Sequence, residues 1–345
     1  MKVLQVGAKN YPPAHGGTER LVADLVEGLA NIESHIFVEW EHDGRFPRVR
    51  QLPGNVLTQW FAVRQYVKDN DIDLVHLHKS NYVPLGLMLK LSGIRCILTV
   101  HGCAWRRGEK RWNPGIKAIA ALLDFLACLF LDRVVLVGEH DWLSFKRFLP
   151  TRRLTLIRNG VSVDPTSKHG HRKGWVYVGR ISPEKNVLRL IEAADVLPEK
   201  LAIYGPISPP NARFEKAFLR QLKDSNAAWK GPLPSHQVRT ALSRYEVFVN
   251  PSSTEGLPFT VLEAAAEGLH LVLSDIRPHR LLDFPSCDYV DPEKLDLTPL
   301  LRHVNGDGEV NRAHARGEYN VDVMRRSYLA LYQEIAGARP DCDRS

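Results

Sequence analysis

Residues 247–268 read VFVNPSSTEGLPFTVLEAAAEG. The β-branched and aromatic start predicts a short buried strand, VFVNPS, and the Leu- and Ala-rich run opening near Pro258 or Phe259 predicts a helix. Glu255 then falls in the loop that follows the strand, and Glu263 about one turn into the helix. Ligands of parallel α/β sheets bind at the carboxyl ends of their strands, where that loop lies. As a bare pattern, two acids at this spacing also describe two solvated side chains.

The same strand-loop-helix step recurs outward in both directions. VLQVGA, HIFVEW, LVHLH, CILTVH and RVVLVG are strand candidates before residue 160, and GWVYVG, KLAIYG, VFVNPS and HLVLSD after it, each separated from the next by an amphipathic stretch. Such alternation predicts doubly wound parallel sheets. At 345 residues the chain exceeds what one hydrophobic core sustains. The fold class is therefore α/β, with two Rossmann-like doubly wound domains facing a central cleft. We place the first domain at residues 1–160 and the second at 161–318. Between them LIRNGVSVDPTSKHGHRKG, rich in Gly, Pro, Ser and charge, reads as the linker.

Composition narrows the function classes. With 44% hydrophobic and 25% charged residues the chain resembles ordinary soluble proteins. The opening MKVLQVGA lacks a signal-peptide core, which predicts a cytoplasmic protein. Cysteines 96, 103, 128, 287 and 342 have no paired short spacing, so neither a disulfide framework nor a zinc site is expected. The net charge of +7 resides in the first half: residues 1–160 hold 22 Lys+Arg against 15 Asp+Glu, and residues 161–345 hold 24 of each. Arg95, Arg106, Arg107, Lys110, Arg111 and Lys117 surround Trp105 and Trp112. Basic residues beside indoles suit an anionic membrane, a phosphorylated lipid or an acidic glycan, and a solvated basic loop is the plain alternative. No nucleic acid is expected, since no reading helix or stacking motif accompanies the charge. The apolar run from Ile116 to Leu131 is too short and too interrupted to span a bilayer, which predicts a helix buried in the core or lying on a membrane.

Several loop residues have the chemistry to hold a sugar diphosphate. Gly16 and Gly17 stand at the entrance of a helix whose apolar face is Leu21, Val22, Leu25, Val26 and Leu29. There, backbone N–H groups and the helix dipole favour a phosphate, although a Gly-Gly pair is also a simple turn. A dinucleotide fingerprint G-x-G-x-x-G is absent after the first strand, so the acids Glu39 and Glu41 do not indicate a nicotinamide cofactor. In the second half Arg180 leaves a strand end and Lys185 begins a helix. An arginine fork and a lysine point charge can neutralise a diphosphate without a metal. The carboxylate of Glu263 can accept both hydroxyls of a ribose, and Glu255 can reach a second sugar. Asp71-Ile72-Asp73 mimics a manganese motif but precedes its strand, and His76 and His78 have no third ligand, so no metal is assigned.

In order along the chain, PPAHGGTE, TVHG, LIRNGV, VGRISPEK and NPSSTEGLPFTVLEAAAEG resemble the family-4 retaining glycosyltransferases of the GT-B class, also called glycosyl transferases group 1. The likeness runs from Met1 to about Asp291. It implies that Gly16 and Gly17 form a phosphate-side loop, and that His101 approaches the donor sugar. Arg180 and Lys185 hold the diphosphate, Glu255 contacts the sugar near the reacting carbon, and Glu263 binds the ribose. Gly205, Gly256, Leu257 and Pro258 complete the donor-binding set. A closing helix, within about residues 319–345, is expected to pack back on the first domain.

The reaction implied is metal-independent transfer of a hexosyl group, with retention, from a nucleoside-diphosphate sugar of unassigned base to a glycan or lipid-linked acceptor. The setting implied is bacterial surface-polysaccharide synthesis, with peripheral contact between the basic lobe and the inner face of the membrane. No cofactor is expected, the nucleotide sugar being substrate. Alternatives are a nucleotide-sugar epimerase of the same fold and a non-catalytic nucleotide- or glycan-binding protein. Arg277, Pro278 and His279 stand where relatives often carry small residues, and His270 where proline is frequent. These departures bear on donor identity and predict a more cationic loop.

Overall fold

The computed structural model describes residues 1–13, 16–40, 44–105, 113–164, 172–208, 211–302 and 307–337. The expectations resting on Glu41, on Arg106, Arg107, Lys110, Arg111 and Trp112, on Cys342 and on linker residues 165–171 lie outside them. The chain divides into two compact units, one holding Met1–Asn159 with the closing helix and the other Gly160–Asn320.

The first unit runs β1 (Lys2–Ala8), α1 (Gly17–Gly28), β2 (Glu33–Val38), β3 (Val49–Gln51), α2 (Val56–Asp69), β4 (Leu74–Leu77), α3 (Val83–Leu91), β5 (Cys96–Val100), α4 (Pro114–Phe130), β6 (Arg133–Leu136), α5 (Glu139–Phe148) and β7 (Leu154–Leu156). The second runs β8 (Trp175–Val178), α6 (Val187–Ala193), β9 (Leu201–Tyr204), α7 (Ala212–Lys223), β10 (Ala227–Trp229), α8 (Val238–Leu242), β11 (Val247–Asn250), α9 (Phe259–Ala266), β12 (His270–Ser274), α10 (Arg277–Arg280), β13 (Cys287–Val290) and α11 (Gly308–Glu318). Helix α12 (Val321–Gly337) returns to the first unit, where Arg325 Nε donates to the Asp24 carbonyl of α1 at 3.1 Å.

Every pairing between these strands is parallel, in the orders β3-β2-β1-β4-β5-β6-β7 and β10-β9-β8-β11-β12-β13. In both sheets the order reverses beside the first strand, between β1 and β4 and between β8 and β11. Strands buried on both faces read as continuous apolar runs, as β6 (RVVL) and β11 (VFVN) do. β3, β7, β10 and β13 are strands the sequence did not announce. With three or four residues each, they are too short for a periodic signal and owe their conformation to pairing with a longer neighbour.

Of the two expectations for helix α4, burial in the core does not hold. Asn113 Oδ1 caps it by accepting from the Ile116 amide at 2.8 Å. Asp124, Ala127 and Cys128 form its buried side, and Asp124 Oδ2 accepts from Trp105 Nε1 at 2.7 Å. The opposite side holds Ile119, Leu122, Phe125, Leu129 and Phe130, exposed by 62, 56, 39, 38 and 52%. Its acid is inside and its solvent side is apolar, the reverse of a surface helix. Among the described residues no helix is long and apolar enough to cross a membrane.

Candidate active site

The loops after β8 and β11 leave adjacent strands at the point where the second sheet reverses, a position that leaves a crevice in doubly wound sheets. The Gly179 amide donates to the Tyr204 carbonyl at 3.0 Å, and Tyr177 Oη donates to the Arg180 carbonyl at 2.9 Å. These bonds fix where Arg180 departs. A turn at Pro183–Lys185 follows, and Asn186 in the left-handed region (φ 57°) starts α6 while its side chain donates to the Pro292 carbonyl at 2.6 Å.

The two loops are fastened to each other. Ser253 donates to the Glu184 carbonyl twice, from its amide at 2.9 Å and its hydroxyl at 3.1 Å. Lys185 Nζ donates to Glu255 Oε1 at 2.5 Å, the lysine side chain 15% and the glutamate 9% exposed. Asn250 Nδ2 donates to the same carboxylate at 3.3 Å, while Asn250 Oδ1 accepts from the Ser252 amide at 3.1 Å and hydroxyl at 2.5 Å. Burial pushes the Glu255 carboxyl up, but Lys185, and after it His279, hold it below the ordinary value. His279 is itself pushed down to about 4, chiefly by burial, so at neutral pH the lysine carries the effect. Glu255 is therefore an ionised carboxylate, fit to accept hydrogen bonds or face positive charge rather than to donate a proton.

The remaining residues of the set are placed differently. Arg180 is half-exposed, with Nη2 3.6 Å from Glu184 Oε1, so its guanidinium stands outside the Lys185–Glu255 contact. Glu263 lies in α9 and is buried, as are Leu257 and Pro258, with Gly256 half-buried. Gly205 (φ 145°) meets a requirement of the protein itself. A Cβ there would stand 1.8 Å from the Gly179 carbonyl oxygen, its amide donates to Gly231, and its carbonyl accepts from Trp229 Nε1 at 3.0 Å.

His279 adds no charge to the loop after β12. His279 donates from Nδ1 to the Ser274 carbonyl at 3.0 Å and is fully buried and neutral. Its Nε2 has no hydrogen-bond partner among the described residues. Arg280 is balanced by Asp275 at 2.7 Å and lies over Tyr289, leaving Arg277 as the exposed cation. His270 bridges Ser286 and Asp288, each at 2.8 Å, and so holds β12 against β13. The expected cationic loop is thus reduced to one arginine. The sequence reading missed Asn250, Ser252 and Ser253, whose only signal was small polar residues crowded into the loop, a pattern that also describes an ordinary turn, and Tyr177, which reads as one more apolar residue of β8.

In the first unit Gly16 (φ 112°) precedes α1, and the Glu19 carboxylate lies against it, accepting from the Lys9 amide at 3.1 Å. The sequence reading missed this buried acidic side chain of the protein's own at the helix entrance, although Glu three positions after a helix start is a familiar capping arrangement. His101 follows β5, half-buried, its Nε2 3.5 Å from His78 Nδ1. Burial, and then Lys79, push it down to about 3. The Asp71–Asp73 segment is the connection expected before β4, with Asp73 Oδ2 accepting from the Lys2 amide at 2.9 Å.

Two family models match this architecture in sequence: "Glycosyltransferase Family 4" over residues 15–165 and "Glycosyl transferases group 1" over residues 164–281. The chain belongs to glycosyltransferase family 4. Among the relatives of this family-4 chain is the UDP-Gal:alpha-D-GlcNAc-diphosphoundecaprenol alpha-1,3-galactosyltransferase of Escherichia coli, 27% identical over 64% of this chain and 62% of that protein. The GDP-mannose:cellobiosyl-diphosphopolyprenol alpha-mannosyltransferase of Xanthomonas campestris is 28% identical over 60% and 57%. The chain thus spans less than two thirds of both. The GDP-mannose-dependent alpha-mannosyltransferase of Mycobacterium tuberculosis is 24% identical over 97% and 95%. In fold, sucrose-phosphate synthase from Thermosynechococcus elongatus superposes with a TM-score of 0.82 at 16% identity, covering 98% of this chain and 100% of that one. Anabaena HepE, solved in complex with UDP, gives 0.78 at 14% identity, covering 97% and 100%. The architecture of this family-4 chain is that of the GT-B class.

Proposed function

We propose that this chain is a retaining glycosyltransferase that moves a hexosyl group from a nucleoside-diphosphate sugar to a glycan or lipid-linked acceptor in bacterial surface-polysaccharide assembly. The observation that carries the reading is the Lys185–Glu255 pair, held where the second sheet reverses. On this reading the second unit binds the donor and the first the acceptor. Arg180, half-exposed beside Glu184, and Lys185 neutralise the diphosphate and stabilise the leaving nucleotide as its charge grows. Glu255, kept ionised by Lys185, faces the positive character that develops on the anomeric carbon. Glu263 takes the ribose, and His101 contacts the donor sugar. A lysine shared between Glu255 and a diphosphate ties the two developing charges to one geometry. Gly16 and Gly17 are the weaker part, since Glu19 already occupies the helix entrance. A lipid-linked acceptor is supported by the diphosphopolyprenol named for two relatives.

A thermal-shift panel of UDP-, GDP-, ADP- and dTDP-sugars tests the donor half, because a ligand that binds only the folded protein raises its stability by mass action. One base series is expected to stabilise the protein. Transfer from that donor is expected to persist in EDTA and to keep the anomeric configuration. Stabilisation by none of them, or activity abolished by EDTA and restored by manganese, overturns the corresponding part.

The apolar solvent side of α4 supports peripheral contact with an anionic membrane. Trp105 joins α4 to α5, with its ring 6.2 Å from that of Phe148, a residue exposed by 64% beside the exposed Lys146 and Arg147. The excess charge of this half opposes pairing with a second copy and favours anionic lipid.

A further inference from the structure

One face of the first sheet is covered by α12 and lined with polar side chains where an apolar core is the rule. Gln5 stands on β1, His76 on β4 with His78 just after it, and Thr99 on β5 with His101 just after it. Residues two apart along a strand share a face, so each strand sends its pair the same way. Tyr328 and Tyr332 of α12 close against them. Apart from His101, none of these side chains is more than 1% exposed.

They form one hydrogen-bonded chain. His76 Nδ1 is 2.7 Å from Tyr332 Oη, and its Nε2 is 2.8 Å from Thr99 Oγ1, which lies 3.1 Å from Tyr328 Oη. In the other direction Gln5 Nε2 reaches Tyr332 Oη at 3.3 Å, Gln5 Oε1 meets His78 Nε2 at 2.7 Å, and His78 Nδ1 meets His101 Nε2 at 3.5 Å. Burial depresses His76 and His78 far below the usual histidine value, so both rings are neutral. A neutral imidazole has one N–H and one lone pair, and a bond made at one nitrogen dictates the role of the other.

The direction of the chain follows from its short phenol contact. A phenol is a stronger acid than a neutral imidazole N–H, and imidazole nitrogen is the better base, so Tyr332 donates to His76 Nδ1. The Tyr332 oxygen then accepts from Gln5 Nε2. The Gln5 carbonyl oxygen, as the other end of that amide, accepts from His78 Nε2–H. His78 Nδ1 is left as an acceptor. His101 pairs with it only by carrying its own proton on Nε2. At 3.5 Å this is the longest link.

We propose that Gln5, His78 and Tyr332 are positioning residues that hold His101 in its Nε2–H form, leaving Nδ1 as an acceptor for a hydroxyl of the bound sugar. The proposal rests on the reading of His101 as a donor-sugar contact, but the proton arrangement is a property of the protein alone. It is read by long-range 1H–15N correlation on protein labelled at histidine, with the His101 signals identified by their loss in His101→Gln. The wild-type pattern expected is a protonated Nε2 and an unprotonated Nδ1. Tyr332→Phe removes the oxygen that sets the direction, and His101 is expected to become a mixture of both forms. Tyr328→Phe removes a comparable buried hydroxyl outside the path to His101 and should leave the pattern unchanged. Once a donor is known, kcat in Tyr332→Phe should fall about tenfold with little change in KM, the size of one misdirected hydrogen bond.

A wild-type His101 protonated on Nδ1, or the same pattern in Tyr332→Phe as in wild type, overturns the proposal. If Tyr332→Phe does not fold, Gln5→Met makes the same cut with the same two outcomes. Should the tautomer be as stated while no sugar is transferred, the functional reading fails and the relay stands.

Discussion

At the scale of single residues, the contact between Lys185 and Glu255 separates charge from proton. A carboxylate buried to this degree would ordinarily be pushed toward its neutral form, yet the ammonium beside it keeps it charged. Replacing Glu255 by Gln conserves shape and the hydrogen bond from Asn250 but removes the charge that the proposed mechanism sets against the reacting carbon. Turnover is expected to fall by about a hundredfold or more, on the order of losing one preorganised electrostatic group, with donor KM changed far less. Steady-state kinetics of the purified variant, alongside a circular dichroism spectrum matching wild type, checks it. Near-normal turnover removes Glu255 from the mechanism. Gly205 belongs at this scale too. Read as part of a ligand site, it is explained by the Gly179 carbonyl that no side chain could stand beside.

At the scale of elements, α4 is the helix whose pattern runs against its surroundings. An exposed helix normally places its apolar stripe inward, whereas here Asp124 is inside, bonded to Trp105, and six large apolar side chains are exposed. These exposed positions support no core, so Ile119→Glu with Leu122→Glu should leave folding intact. Each glutamate removes apolar contact and adds repulsion from anionic lipid. Sedimentation with phosphatidylglycerol vesicles is expected to pellet the wild type, and to do so at least tenfold less for the double variant, with phosphatidylcholine vesicles binding neither. Equal binding by both proteins, or a wild-type dimer that the substitutions dissociate, assigns the face to another partner. The short edge strands show the opposite relation between element and sequence. β3 and β10 are strands because β2 and β9 offer open hydrogen-bonding edges, a cause that no local pattern records.

At the scale of the molecule, buried histidines couple both units to pH. His76 and His78 in the first and His279 in the second are fully buried and held neutral by burial. Their folded values lie below the unfolded one of about 6.5. Above it they cost nothing. As pH falls below it the unfolded chain gains protons that the folded chain refuses, and stability is lost by roughly 1.4 kcal/mol per histidine at one pH unit below. Asp124 works the other way, because its folded value is raised to about 6, chiefly by burial, and the folded state takes its proton first. At pH 5.5 His76, His78 and the likewise depressed His101 of the first unit together outweigh it, leaving a net loss of stability there. The depressed Glu255 adds its own loss only below the ordinary carboxylate range, in a separate window. Urea unfolding at pH 7.5, 6.5 and 5.5 should show this decline, with His279→Gln flattening the second unit's share. A stability that is level down to pH 5.5 contradicts it.

The repeating strand-loop-helix pattern was enough to specify two parallel α/β sheets, because β-branched runs and helical periodicity are local properties of a chain. It also placed Arg180, Lys185, Glu255 and Glu263 in or beside the strand-end loops of one unit, since loops after strands are where such sheets present side chains. What needed the tertiary structure was everything set by neighbours distant in sequence. Lys185 and Glu255 are 70 residues apart, and only the reversal of strand order makes them a pair. His76 and His78 read as histidines without a third metal ligand until α12, more than two hundred residues further on, brings Tyr332 against His76. Burial decided the rest, leaving His279 a neutral ring and, of the two expectations for α4, excluding the core helix, because desolvation depends on what packs alongside and not on the residue itself.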